Sequence, residues 1–66
     1  MKLSINGEIR EFKSNLNLQD LLTELGLDGK PVVVELNREA LAPSEFPTRN
    51  LADGDQLEII TIAAGG

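Results

Sequence analysis

The stretch Asn17-Leu18-Gln19-Asp20-Leu21-Leu22-Thr23-Glu24-Leu25-Gly26-Leu27 decides the fold. Leucines at 18, 21, 22 and 25 recur at helical spacing and form one apolar stripe. Asn17 suits the position before the first turn, where a side-chain oxygen accepts an otherwise orphaned amide, and Asp20 follows three residues later. Gly26 fits the left-handed position that ends a helix, and Leu27 can fold back onto Leu22. The spacing therefore predicts one helix over 18–25, about two turns long. A helix that short is not stable alone and must be held against a sheet.

Strand signals lie on both sides of it. Upstream, Leu3, Ile5 and Ile9 flank Asn6-Gly7, a dipeptide favoured in tight hairpins because both residues tolerate positive φ. Strands are expected near 2–6 and 9–13. Two registers are open: a two-residue loop puts Ile5 opposite Glu8, and a three-residue loop with a bulge puts Ile5 opposite Ile9. Phe12 falls out of alternation with Ile9, which requires either a kink or packing at an edge. Downstream, Asp28-Gly29-Lys30-Pro31 breaks the chain before Val32-Val33-Val34-Glu35-Leu36, a β-branched strand pattern. Asn37-Arg38-Glu39 reads as a turn, Ala40-Leu41-Ala42 as a short edge strand closed by Pro43, and 43–50 as irregular surface loop. Asp53-Gly54-Asp55 makes a further turn, and Gln56 to Ile62 forms the last strand. A helix across a mixed sheet of four or five strands, the α+β arrangement called β-grasp, accommodates this order without long crossovers.

Composition narrows what such a domain can do. At 66 residues the chain holds one domain, and a chain this small buries only about 60% of its unfolded surface, too little for a deep enzymatic cleft. It has no cysteine and no histidine. Disulfides, an internal thiol, the usual general base and the commonest metal ligand are thus all missing. Eleven acidic against six basic residues give a net charge of −5, which disfavours nucleic acid and anionic membranes and favours a partner with a basic docking face. No apolar run approaches the roughly 20 residues of a membrane span, and the opening residues lack the apolar core of a secretory signal. The expectation is a cytoplasmic protein, monomeric when free, with no bound metal. Asp53, Asp55 and Glu58 offer too few oxygens for a hard cation, which wants six or more. Lys2, Lys13 and Lys30 read as solvated charges, and Arg38 and Arg49 as surface cations weighed as partner contacts.

The last strand and the four residues after it carry the functional signal. Leu57 and Ile59 share one face, while Glu58, Ile60 and Ile62 share the other. With the first pair against the helix, Ile60 and Ile62 emerge on the open face beside Val33. An apolar patch on so small a monomer marks a docking site, with a dimer interface or cover by the 43–50 loop as the alternatives. Ala63-Ala64-Gly65-Gly66 then leaves a domain of residues 1–62 with small side chains only. Without a Cβ, glycine passes through a narrow channel and adopts whatever backbone angles the channel demands. Four extended residues reach roughly 13 Å, at about 3.3 Å each. A frayed terminus is the alternative, but two terminal glycines arise by chance in only about one chain in 200 at ordinary glycine usage.

Several of these segments resemble the ThiS family of thiamine sulfur carriers, and the resemblance spans nearly the whole chain. Leu3-Ser4-Ile5-Asn6-Gly7 looks like that family's first strand and turn, and Leu18-Gln19-Asp20-Leu21-Leu22 like its helix. Val34-Glu35-Leu36-Asn37-Arg38-Glu39 with Pro43 resembles its middle segment. Leu51 to Ile59 together with terminal Gly65-Gly66 is the most specific match. Phe46 departs from the larger aromatic of many relatives, a difference expected to affect surface packing.

The resemblance implies that Gly66 is the reacting residue, with Gly65 beside it and Ala63, Ala64, Ile60, Ile62 and Val33 contacting partners. A ThiF-type adenylyltransferase, using ATP and Mg²⁺, would convert the Gly66 carboxylate to an acyl-adenylate. A persulfide donor would then make it a thiocarboxylate, which passes sulfur to a thiazole synthase of the ThiG type. The need for outside activation follows independently. An α-carboxyl ordinarily titrates at about 3.3–3.7, so fewer than about one in a thousand is neutral at pH 7, and a carboxylate resists nucleophiles. Three other readings compete: a MoaD-like small subunit of molybdopterin synthase, a ubiquitin-like modifier that forms isopeptides, and an interaction module without tail chemistry.

Overall fold

The computed structural model describes residues 1–62. Its elements are β1 (Lys2–Ile5), β2 (Glu8–Glu11), α1 (Leu18–Glu24), β3 (Val32–Leu36), β4 (Glu39–Leu41), a 3₁₀ turn (Pro43–Glu45) and β5 (Gln56–Thr61). The five strands form one mixed sheet in the order β2-β1-β5-β3-β4. β1 and β5 run parallel in the middle, and the remaining pairs are antiparallel. This is the β-grasp arrangement, with α1 packed across one face.

Helix α1 is closed at both ends by its own sequence. The Asn17 side-chain oxygen accepts the Asp20 amide at 2.7 Å, and Asp20 accepts the Asn17 amide in return at 3.4 Å. At the other end Gly26 takes φ +76°. The Gly26 amide donates to the Thr23 carbonyl at 3.0 Å and the Leu27 amide to the Leu22 carbonyl at 2.8 Å, which satisfies carbonyls the helix would otherwise orphan. Asn17 also donates from Nδ2 to the Pro47 carbonyl at 3.2 Å, tying the cap to the following loop. Replacing Asn17 with alanine is therefore expected to cost about 1–2 kcal/mol, a fall of roughly 4–16 °C in melting temperature for a domain of this size, read by circular dichroism.

At the first hairpin the structure selects the two-residue loop. Ile5 pairs with Glu8 and Ser4 with Ile9, and Asn6 and Gly7 both have positive φ, +52° and +83°. Ile9 therefore points to the outer face, where it is 73% exposed. Arg10 and Phe12 share the inner side. Phe12 packs partly buried against the core, with the Arg10 guanidinium 5.6 Å from its ring centre. Its mismatch with Ile9 thus reflects the outward turn of Ile9, not a kink. β2 also ends at Glu11, short of 13, although the Met1 and Phe12 backbones still exchange two hydrogen bonds of 2.8 Å.

Leu3, Leu18, Leu21, Val34 and Leu57 form the fully buried centre. Two expectations need correction here. The short edge strand is Glu39–Leu41, not 40–42, because Asn37 and Arg38 alone make the turn with φ +50° and +70°. The segment 43–50 is not wholly a surface loop: Phe46 is 6% exposed within the core, and its carbonyl accepts the Gln19 amide at 3.0 Å. Phe46 thus affects core packing, and its departure from the family's aromatic lies in the interior. Leu16 and Leu51, on segments without regular structure, are buried as well and joined by a 2.9 Å backbone hydrogen bond.

Candidate functional site

Alternation along β5 separates two kinds of surface. Leu57 and Ile59 are buried toward α1, while Glu58 and Ile60 face outward. Val33 on β3 stands directly opposite Ile60, at 46% and 61% exposure. Ile62 follows the strand and is half exposed. Its amide donates to the Pro31 carbonyl at 3.0 Å, so the β3 side of the chain stays held through residue 62. Ile62 also borders a groove shared with Pro31, Pro43 and Phe46. The 43–50 segment turns its aromatic into the core and leaves Val33 and Ile60 open, while Pro43 borders Ile62, so cover by that segment is partial and confined to Ile62. Ala63, Ala64, Gly65 and Gly66 lie outside the described residues.

Charge sharpens this face. Glu35 and Glu58 are directly opposite on β3 and β5, one register step along the same outer surface from Val33 and Ile60, and both are exposed. Like charges opposite one another weaken a sheet. Placed beside an apolar pair, they favour a basic group on whatever docks there. Ile9, the most exposed large apolar residue in the described part, is a separate feature. Its rung aligns through Ser4 with Gln56, four residues and thus about 13 Å along the strand direction from Ile60, with Ile9 itself two strands to the side. The signal for it was the hairpin register, which alternation alone could not choose.

The acidic residues near β5 have structural work. Asp53 accepts the Lys2 amide at 2.6 Å, and Asp55 accepts the Ala52 amide at 2.8 Å and Asn37 Nδ2 at 3.0 Å. They hold the turn into β5 in place. Among the described residues no cluster of three His, Cys, Asp or Glu side chains is arranged to hold a metal ion. Arg49, weighed as a partner contact, is paired with Glu39 of its own chain. No helix in the described part is long and apolar enough to cross a membrane.

Comparison with known proteins places these features in context. The sequence model of the ThiS family matches residues 3–66. A sulfur carrier protein ThiS from Thermus thermophilus is 40% identical over 62 residues, covering 94% of this chain and 95% of its own. The crystal structure of a thiamine biosynthesis protein, ThiS, from Geobacter metallireducens superposes with a TM-score of 0.85 at 33% identity, covering all of both chains. A thiazole synthase from Paramagnetospirillum magneticum is 44% identical over all 66 residues, but this chain spans only 20% of its length.

Proposed function

The chain belongs to the ThiS family of sulfur carrier proteins, and from that membership we propose that its Gly66 carboxylate is adenylated, exchanged for a thiocarboxylate and used to deliver sulfur for thiamine thiazole synthesis in the cytoplasm. The observation that carries the reading is the family match reaching residue 66, so that the terminal Gly65-Gly66 lies inside it. The fold and the carrier role are those of the family. The steps below are the chemistry this terminus requires.

A carboxylate does not expel oxide, so a leaving group must first be attached. A partner enzyme of the ThiF type supplies it by joining Gly66 to the AMP moiety of ATP with release of pyrophosphate, Mg²⁺ serving in that enzyme. A persulfide sulfur then attacks the acyl carbon and AMP departs. A thiol cleaves the resulting S–S bond and leaves the thiocarboxylate on Gly66, the thiol's sulfur becoming part of a disulfide. The carrier is a cosubstrate in this scheme, and its own groups supply docking and reach. The proposed acceptor is a thiazole synthase. Support comes from the longer thiazole synthase chain with a segment matching this one from end to end, since joining two partners in one chain raises their effective concentration.

Incubation with an adenylating enzyme of this type, ATP, Mg²⁺ and a persulfide donor is expected to raise the intact mass by the difference between one sulfur and one oxygen. An unchanged mass would remove the reading, and a protein conjugate would favour the modifier alternative.

Docking is assigned to Val33, Ile60 and Ile62 with Glu35 and Glu58 beside them, and the passage to the active site to Ala63 and Ala64. Ile60→Glu is then expected to raise the KM for loading roughly tenfold, equivalent to about 1.4 kcal/mol. Stability should change by less than about 1 kcal/mol, the span of strand propensity at an exposed site. Steady-state loading kinetics beside a urea titration check both halves.

A further inference from the structure

β1 and β5 run parallel for only two paired positions, Ser4 with Gln56 and Ile5 with Leu57. At Asn6 the chain turns away into the hairpin, while β5 continues to Thr61. The ladder nevertheless extends one rung further. Asn6 Nδ2 donates to the Ile59 carbonyl at 3.1 Å, and the Ile59 amide donates to Asn6 Oδ1 at 2.8 Å. The side-chain amide thus takes the place of a backbone peptide group that β1 no longer provides. The Asn6 backbone amide meanwhile donates to the Leu57 carbonyl at 2.9 Å, so one residue holds two successive rungs of β5. Beyond Ile59 this side of β5 opens into a groove lined by Asn6, Arg10, Leu25, Leu27 and Thr61. The last hold on the β1 side of the strand, among the described residues, is the Asn6 carboxamide.

We propose that Asn6 is a positioning residue for the reaction at Gly66: its carboxamide fixes the end of β5 and hence the point and direction from which residues 63–66 depart. The turn itself does not require asparagine, because its left-handed angles suit glycine and aspartate as well. What only the carboxamide supplies is a paired donor and acceptor at the spacing of a peptide group. Loss of that pair removes the second support at Ile59, so that the strand from Ile59 to Ile62 rests on the β3 ladder alone and can twist about it. A strand end braced from one side only lowers the alignment of the carboxylate in a partner's site. The docking face on Val33 and Ile60 is held by β3 and is unaffected.

This inference rests on the carrier reading, and one assay separates the two. Adenylation of the full-length chain by its cognate adenylating enzyme is followed by pyrophosphate release while the carrier concentration is varied, at a temperature where circular dichroism shows every variant folded. Asn6→Gly keeps the turn and removes both bonds. Asn6→Asp keeps the turn and an acceptor for the Ile59 amide but sets a carboxylate oxygen against the Ile59 carbonyl. Both are expected to lower kcat about fivefold with KM within roughly twofold of the unaltered chain. Amide exchange at Ile59 should accelerate in Asn6→Gly, which has no acceptor for that amide. A merely structural role would leave kcat untouched in a folded variant. Unchanged kcat, a change confined to KM, or unchanged protection at Ile59 in Asn6→Gly would each overturn the proposal. Failure of the unaltered chain to be adenylated would instead strike the carrier reading itself.

Discussion

Deleting Gly66, or replacing Gly65 with valine, is expected to abolish sulfur loading while the melting temperature stays where it is. The deletion shortens the chain by about 3.3 Å, and misplacement of a reacting group by about 1 Å already costs on the order of 100-fold in rate. A carboxylate one residue short of the adenylating site should therefore gain no sulfur within the time that saturates the unaltered chain. Valine at 65 acts differently. It keeps the length but puts two methyl groups where the channel is read as narrow, and its β-branching restricts the backbone angles that glycine leaves free. Among the described residues the buried core runs from Leu3 to Ile59, and both changes fall outside it in sequence. Intact mass after the loading reaction gives the first half of the result and a thermal melt the second. Ordinary loading of either variant would mean that the last two glycines are not the working part.

The fold was legible wherever local chemistry acts alone. The Asn17 cap, the glycine at 26 and the fold-back of Leu27 are decided within a few residues, and the structure places all three as the spacing implies. Alternation in β5 likewise separated Leu57 and Ile59 from Ile60, because a strand between two others has only two faces to choose from. Legibility failed where distant segments decide. Phe46 sits in a polar, proline-flanked stretch that reads as surface. It becomes core because the 3₁₀ turn at Pro43–Glu45, fixed by the Ala42 amide donating to Glu45 at 2.8 Å, directs the ring into the interior. Ile9 was ambiguous for a related reason, since one residue of register exchanges the two faces of a strand. The Asn6 link to Ile59 joins residues 53 apart in sequence, beyond any local pattern. For the candidate site, Gly65-Gly66 stood out in the sequence through position and rarity. The neighbouring Glu35 and Glu58 needed the sheet register to bring them face to face.

Leu57→Ala is expected to be the most damaging single change to the domain, with a loss of about 2–5 kcal/mol. Leu57 is 1% exposed and lies on the central strand, paired with Ile5 on one side and Leu36 on the other and packed beneath α1. A cavity there is bordered by both halves of the sheet and by the helix, so no single neighbour can relax into it. At roughly 0.05–0.15 kcal/mol per residue, a domain of this length has only about 3–10 kcal/mol in total. The substitution therefore removes a large share of it, and an unfavourable case leaves the chain mostly unfolded at 37 °C. Urea titration should show a lower midpoint with an unchanged slope, which separates lost packing from a change in the surface exposed. Ile60, three residues on and facing outward, provides the internal comparison: Ile60→Ala should cost under about 1 kcal/mol, because exposed positions rarely cost more. Loading tells the two apart again. In Leu57→Ala it should track the folded fraction and recover when the sample is cooled below its midpoint. In Ile60→Ala it should weaken through KM at every temperature. A core substitution costing less than about 1 kcal/mol, or the outward one costing as much as the inward, would mean that the helix does not rest on the face of β5 described here.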